Sequence, residues 1–112
     1  MPDITPNSVV HGLLELSREL AELSKDLDQL EADAVNSRED LTLAAAQAFL
    51  SADGPVETRK NIAITQTHHE RLAAETAEAL VRGRKRQIDS LKVRIDVGRS
   101  AAAALRAEMS LS

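Results

Sequence analysis

The chain has no cysteine, no tryptophan, no tyrosine and a single phenylalanine in 112 residues. Lack of cysteine excludes a disulfide framework and any zinc site of the cysteine-rich kind, and nothing ties the chain to an oxidising compartment. Lack of aromatics argues against an ordinary globular core, in which aromatic rings supply much of the buried apolar area. No run of about 18 apolar residues occurs, so no membrane-spanning helix is expected. The alternating pattern of a half-buried β-strand is also missing. The first residues, Met1-Pro2-Asp3-Ile4-Thr5-Pro6, lack the basic start and apolar stretch of a signal peptide. The expectation is a cytoplasmic protein of one domain.

What the chain does contain is helix-forming residues at helical spacing. Val9, Leu13, Leu16, Leu20, Leu23, Leu27, Leu30 and Ala34 alternate steps of four and three. That is the a/d pattern of a helix that lies against another helix. A second stripe closes the chain: Ile88, Leu91, Ile95, Gly98, Ala102, Leu105 and Met109. Between them one clear break, Ala52-Asp53-Gly54-Pro55, combines a residue suited to a left-handed helix cap with one suited to a helix start. Asn36-Ser37-Arg38-Glu39-Asp40 resembles a fresh helix N-terminus capped by Ser37. The heptad phase nevertheless carries on through Ala34, Ser37, Leu41, Ala44 and Ala48, which favours one continuous helix.

The fold expected is therefore all-α: a long antiparallel, coiled-coil-like helical hairpin over residues 1–112. Helix 1 covers about 6–50, with Thr5 as cap and Pro6 in the first turn. The turn covers 51–55. Helix 2 covers about 55–109 and tolerates Gly83 at a cost of roughly 1 kcal/mol. Folding the chain about Asp53 sets Leu13 opposite Val93, Leu23 opposite Gly83, Leu27 opposite Ala79, Leu30 opposite Thr76 and Leu41 opposite Thr65. The charges agree with such a pairing. Residues 1–50 carry −7 and residues 51–112 carry +3, within a total of −4.

Two helices bury too little apolar surface to be stable alone in most cases. At about 1.5 Å per residue, helix 2 would also outrun helix 1 by roughly 20 Å. The overhang carries Gly98, Ala102, Leu105 and Met109 at core spacing. These four residues are the expected oligomer interface, most simply that of a dimer forming a four-helix bundle.

The best functional signal is basic: Arg82, Lys85, Arg86, Lys92 and Arg99, with Arg84 and Arg94 among them. Such a cluster suits a nucleic acid or an acidic partner. Against nucleic acid, Glu78–Arg82, Lys85–Asp89, Lys92–Asp96 and Asp96–Arg99 are spaced to neutralise one another along the helix. Arg84 falls near Glu22 in the folded pairing, and no aromatic interleaves the bases to stack on nucleotides. His68-His69-Glu70 has metal-ligating residue types without the i, i+4 spacing that two ligands on a helix need. No nucleophile elbow or glycine-rich phosphate loop is present. No catalytic residue, metal site or cofactor is expected. Phe49, the only aromatic, is expected to plug the closed end against Val56 or Ile62.

The stretch from Ala48 to Met109 carries Ala48-Phe49-Leu50, Asp53-Gly54-Pro55-Val56-Glu57-Thr58-Arg59-Lys60, Ala73-Ala74-Glu75, Ala77-Glu78-Ala79, Ile95-Asp96-Val97-Gly98-Arg99-Ser100 and Arg106-Ala107-Glu108-Met109. This stretch, about the C-terminal half, is similar to small helical proteins of tailed phages of actinobacteria, often encoded among recombination, replication or host-takeover genes. The resemblance implies a short, non-enzymatic accessory protein in the host cytoplasm and assigns no catalytic residue. The functional expectation is a self-associating interaction protein that binds a host or phage protein through its helix faces. The alternative is a nucleic-acid-binding accessory of recombination or replication, and a phage structural role comes third.

Overall fold

The computed structural model describes residues 4–111. Met1–Asp3, part of the start considered above for a signal peptide, and Ser112 lie outside them. The described residues form three α-helices and no strand. Helix α1 is Pro6–Ser51, α2 is Val56–Gln66 and α3 is His68–Leu111.

The start of α1 follows from its first residues. The Ser8 amide donates to Thr5 Oγ1 at 3.1 Å, and the Thr5 amide donates to Ser8 Oγ at 2.9 Å. This reciprocal pair satisfies donors that the helix itself leaves unpaired. The helix then runs through Asn36–Asp40 without a break, as the heptad phase requires. Gly54, at φ 108°, makes the turn in a conformation that side chains resist. Pro55 is extended and caps α2.

Helix 2 of the sequence reading is divided. Thr67, at φ −108° and ψ 22°, separates α2 from α3. The backbone ladder continues on both sides of it, with the Thr67 amide bonded to the Ala63 carbonyl and the Arg71 amide to the Thr67 carbonyl. Side chains also bond to carbonyls of this turn. Thr67 Oγ1 donates to the Ala63 carbonyl at 2.7 Å, and Arg71 Nη2 donates to the Ile64 carbonyl at 3.1 Å. A hydroxyl that bonds back one turn favours a bend, but Ser24 and Thr42 do the same within unbroken α1. What sets this point apart is that Thr67 is buried and Arg71 bonds to the Ile64 carbonyl beside it. Gly83 leaves α3 unbroken, as expected.

The fold divides into two compact units. Among the described residues one draws on 4–26 and 84–111, the other on Leu27–Gly83. Within the first unit α1 and α3 run antiparallel: Leu13 lies against Gly98, and Asp26 meets Arg84. A Cβ added at Gly98 would come within 2.7 Å of Leu13 Cδ2, so glycine permits this approach. Within the second unit Arg38 meets Glu78 and Phe49 meets Arg59, again with opposite chain directions.

The register departs from reflection about Asp53. Leu13 lies against Gly98, five residues beyond Val93, and Val93 is 62% exposed. Ala79, Thr76 and Thr65, the expected neighbours of Leu27, Leu30 and Leu41, are exposed too. The cause is the heptad phase of the second half. The covered row is Ala63, Thr67, Glu70, Ala74, Ala77, Val81, Arg84, Ile88, Leu91, Ile95, Gly98, Ala102 and Leu105, at alternating steps of four and three. A seam aligns one such row with another, and the midpoint of a turn does not select that alignment.

The core is narrow. Ala63, Ala74, Ile88, Leu91 and Ile95 are the buried apolar residues among those described. Leu13, Leu16, Leu20, Leu23, Leu27 and Leu30 of α1 lie on the expected face and are partly covered, yet none of them is fully buried. Leu91→Ala should therefore destabilise by about 2–5 kcal/mol, the range for a buried leucine. Leu20→Ala should cost clearly less. Urea denaturation of the two variants measures the difference, and equal losses would contradict the asymmetry of cover.

Candidate functional site

The basic segment lies almost wholly on the exposed side of α3. Arg82, Lys85, Arg86, Lys92 and Arg99 are all exposed. Arg84 alone turns into the covered row, where its Nη1 donates to Asp26 Oδ2 at 3.1 Å. The expected partner, Glu22, is one helical turn away on α1, consistent with the shifted register.

The charge neutralisation expected along the helix is not the arrangement observed. Glu78 is taken by Arg38, whose Nε and Nη2 donate to its two carboxylate oxygens at 2.9 and 2.7 Å. Such a fork fits the planar guanidinium to the carboxylate and fixes both side chains. Arg82 is left without that partner. Among the described residues Arg82, Arg86, Lys92, Arg99 and Arg106 make no ion pair within 4 Å.

Beside Arg99 and Arg106 the first unit has a groove of about 200 Å³ lined by Pro6, Val10, Leu13, Arg99, Ala102 and Arg106. Its α1 side is apolar. Gly98 and Ala102, placed by the sequence reading on a free overhang, have α1 residues beside them within this unit. Leu105 is half-buried and Met109 is 62% exposed. The shift in register carries α1 further along α3 and shortens the overhang.

His68 and His69 are exposed, whereas Glu70 belongs to the covered row. The three side chains therefore diverge, as neighbours on a helix do at about 100° per residue. Among the described residues no group of three or more His, Cys, Asp or Glu could hold a metal ion. No helix there is long and apolar enough to cross a membrane. Of the two neighbours expected for Phe49, Val56 is exposed, while Ile62, like Phe49 itself, is half-buried. The Arg59 guanidinium stacks over its ring at 4.3 Å from the centroid and donates to its carbonyl at 3.2 Å.

Two features escaped the sequence reading. Glu70 Oε2 is buried and has no hydrogen-bond partner among the described residues. The apolar, cation-edged groove at Arg99 and Arg106 depends on which α1 residues lie opposite. Glu70 had a legible signal, because the heptad counted backward from Ile88 reaches it. Compared with protein-family models, curated proteins and solved structures, the chain matches none.

A buried carboxylate oxygen without a partner carries a desolvation cost of about 1–3 kcal/mol. Glu70→Leu should thus raise the urea midpoint, by about 1 kcal/mol or more in stability. A lower midpoint would show that the carboxylate contributes favourably where it sits.

Proposed function

We propose that this chain is a non-enzymatic interaction protein: an antiparallel helical hairpin that self-associates and binds a protein partner through its helix faces. In origin it fits the accessory proteins of phages that its C-terminal half resembles. One observation carries the reading. Among the described residues fourteen large apolar side chains are more than half exposed, against five apolar residues that are buried. Val10 and Leu14 form one exposed i, i+4 pair, and Val93 and Val97 form another. Isolated exposed leucines are ordinary, but repeated apolar pairs at helical spacing on so thin a core favour cover by further helices.

Oligomerisation also supplies what the fold lacks, because stability then draws on area buried between copies. Leu105 and Met109 remain the expected centre of the self-association surface, with Gly98 and Ala102 occupied on their inner side by α1. The unmutated protein should sediment above monomer mass at micromolar concentration. Leu105→Asp should move it toward monomer with partial loss of helicity. A well-folded monomer of the unmutated chain would sink this reading.

A second reading, nucleic-acid binding, draws on the exposed bases without ion pairs, Arg82, Arg86, Lys92 and Arg99. It predicts binding to duplex DNA that falls steeply with salt and is lost in Arg82→Glu with Arg86→Glu. Fluorescence anisotropy at low ionic strength reads it out. No binding there would leave the protein-partner reading alone.

A further inference from the structure

Lys92, Arg99 and Arg106 recur at seven-residue spacing on α3. On one helix that places them along a single edge, about 10.5 Å apart. All three are exposed, and none makes an ion pair among the described residues. Their own helix does little for the outer two. Arg106 has alanine, methionine or serine three and four residues away on either side, and Asp96 makes no ion pair with Arg99. Across the groove α1 presents Pro6, Val10 and Leu13. The contrast with Arg84, which receives Asp26, is local: near the start of α1 the facing edge is apolar. The groove thus has an apolar floor, two unpaired guanidiniums on one rim and Val10 half-exposed on the other.

The same chain carries the complement. Glu19, Asp26, Asp33 and Asp40 recur every seven residues along one edge of α1. Asp26 is engaged by Arg84, while Asp33 and Asp40 are exposed and make no ion pair among the described residues. The Asp33 side chain accepts from the Gln29 side-chain amide, at 2.9 Å. Leu43, three residues after Asp40 and so close to it on the helix surface, is 60% exposed. Two carboxylates seven residues apart with a leucine beside them match two guanidiniums seven residues apart beside an apolar floor.

We propose that the groove at Arg99 and Arg106 docks the Asp33–Leu43 segment of α1 from a second copy of this chain. The carboxylates pair with the guanidiniums and Leu43 enters between Val10 and Ala102. This rests on the self-associating reading above and names the surface that would carry it. Charge complementarity selects the second copy over an unrelated helix, because spacing, sign and apolar companion all occur within the one sequence.

Sedimentation of the full-length chain tests it by charge exchange. Arg99→Glu with Arg106→Glu, and separately Asp33→Lys with Asp40→Lys, should each weaken self-association about tenfold or more and leave helicity by circular dichroism unchanged. These positions are exposed, and either double variant suffices should the other fail to fold. Mixing the two reversed chains should restore a complex, since each then supplies the charge the other lacks. Arg82→Glu with Arg86→Glu, outside the groove, should leave association unaltered. If the unmutated chain associates but both reversals sediment like it, or the mixture fails to recover, the docking surface is wrong while the self-associating reading stands. A monomeric unmutated chain would overturn both. If that monomer bound a duplex oligonucleotide only with Arg99 and Arg106 intact, the groove would belong to phosphates instead.

Discussion

Everything in this structure depends on helices that, within each compact unit, cover each other on one side only. In a domain of several layers a leucine is surrounded. Here the stripe leucines of α1 stop short of full burial, which is reserved for a few residues of the second half: Ala74 at 0% exposure, Leu91 at 3%. The scarcity of aromatic residues fits this geometry, because large rings would hold the helices apart where Gly98 now lets Leu13 approach. The same geometry leaves apolar side chains on the outer faces. Stability and interaction are thus two sides of one shortage.

Polar residues within the covered row carry the departures from a regular coiled coil. Thr67 stands between α2 and α3 and bonds back to Ala63, with Arg71 holding the Ile64 carbonyl. Glu70 brings a carboxylate oxygen out of water without a partner. Arg84 enters the row but reaches Asp26 at its edge. Each weakens apolar packing at its own position. Polar groups in a seam of this kind can specify register, since only one alignment provides their partners. The Arg84–Asp26 pair is the member of this set with such a partner.

Charge is distributed by the same register. Bases that meet acids across or along the seam, such as Arg38 with Glu78, are neutralised where they stand. Bases beside an apolar stretch of α1 are not, and Arg99 and Arg106 are the outcome. The basic run in the sequence is therefore not one surface. Arg84 turns inward, Arg82 and Arg86 face outward, and Arg99 borders a groove. The chemistry available to each follows from its heptad position more than from membership of the run.

Helix content, the continuous phase through Asn36, the cap at Thr5 and the turn at Gly54 were all legible in the sequence. They depend on neighbours within about four residues, and local spacing and backbone preference suffice to determine them. The covered face of α1 was legible for the same reason. The covered row of the second half was read only from Ile88 onward, because Thr67, Glu70 and Arg84 interrupt its apolar pattern. Which residues lie opposite which was decided by tertiary structure alone. Reflection about Asp53 places Val93 beside Leu13, but matching one heptad row to another moves Gly98 there. That shift exposes Val93, gives Asp26 to Arg84 and forms the groove at Arg99 and Arg106. A heptad pattern defines a face on each helix, while the offset between two faces is an energy difference among alignments, settled only when the helices pack.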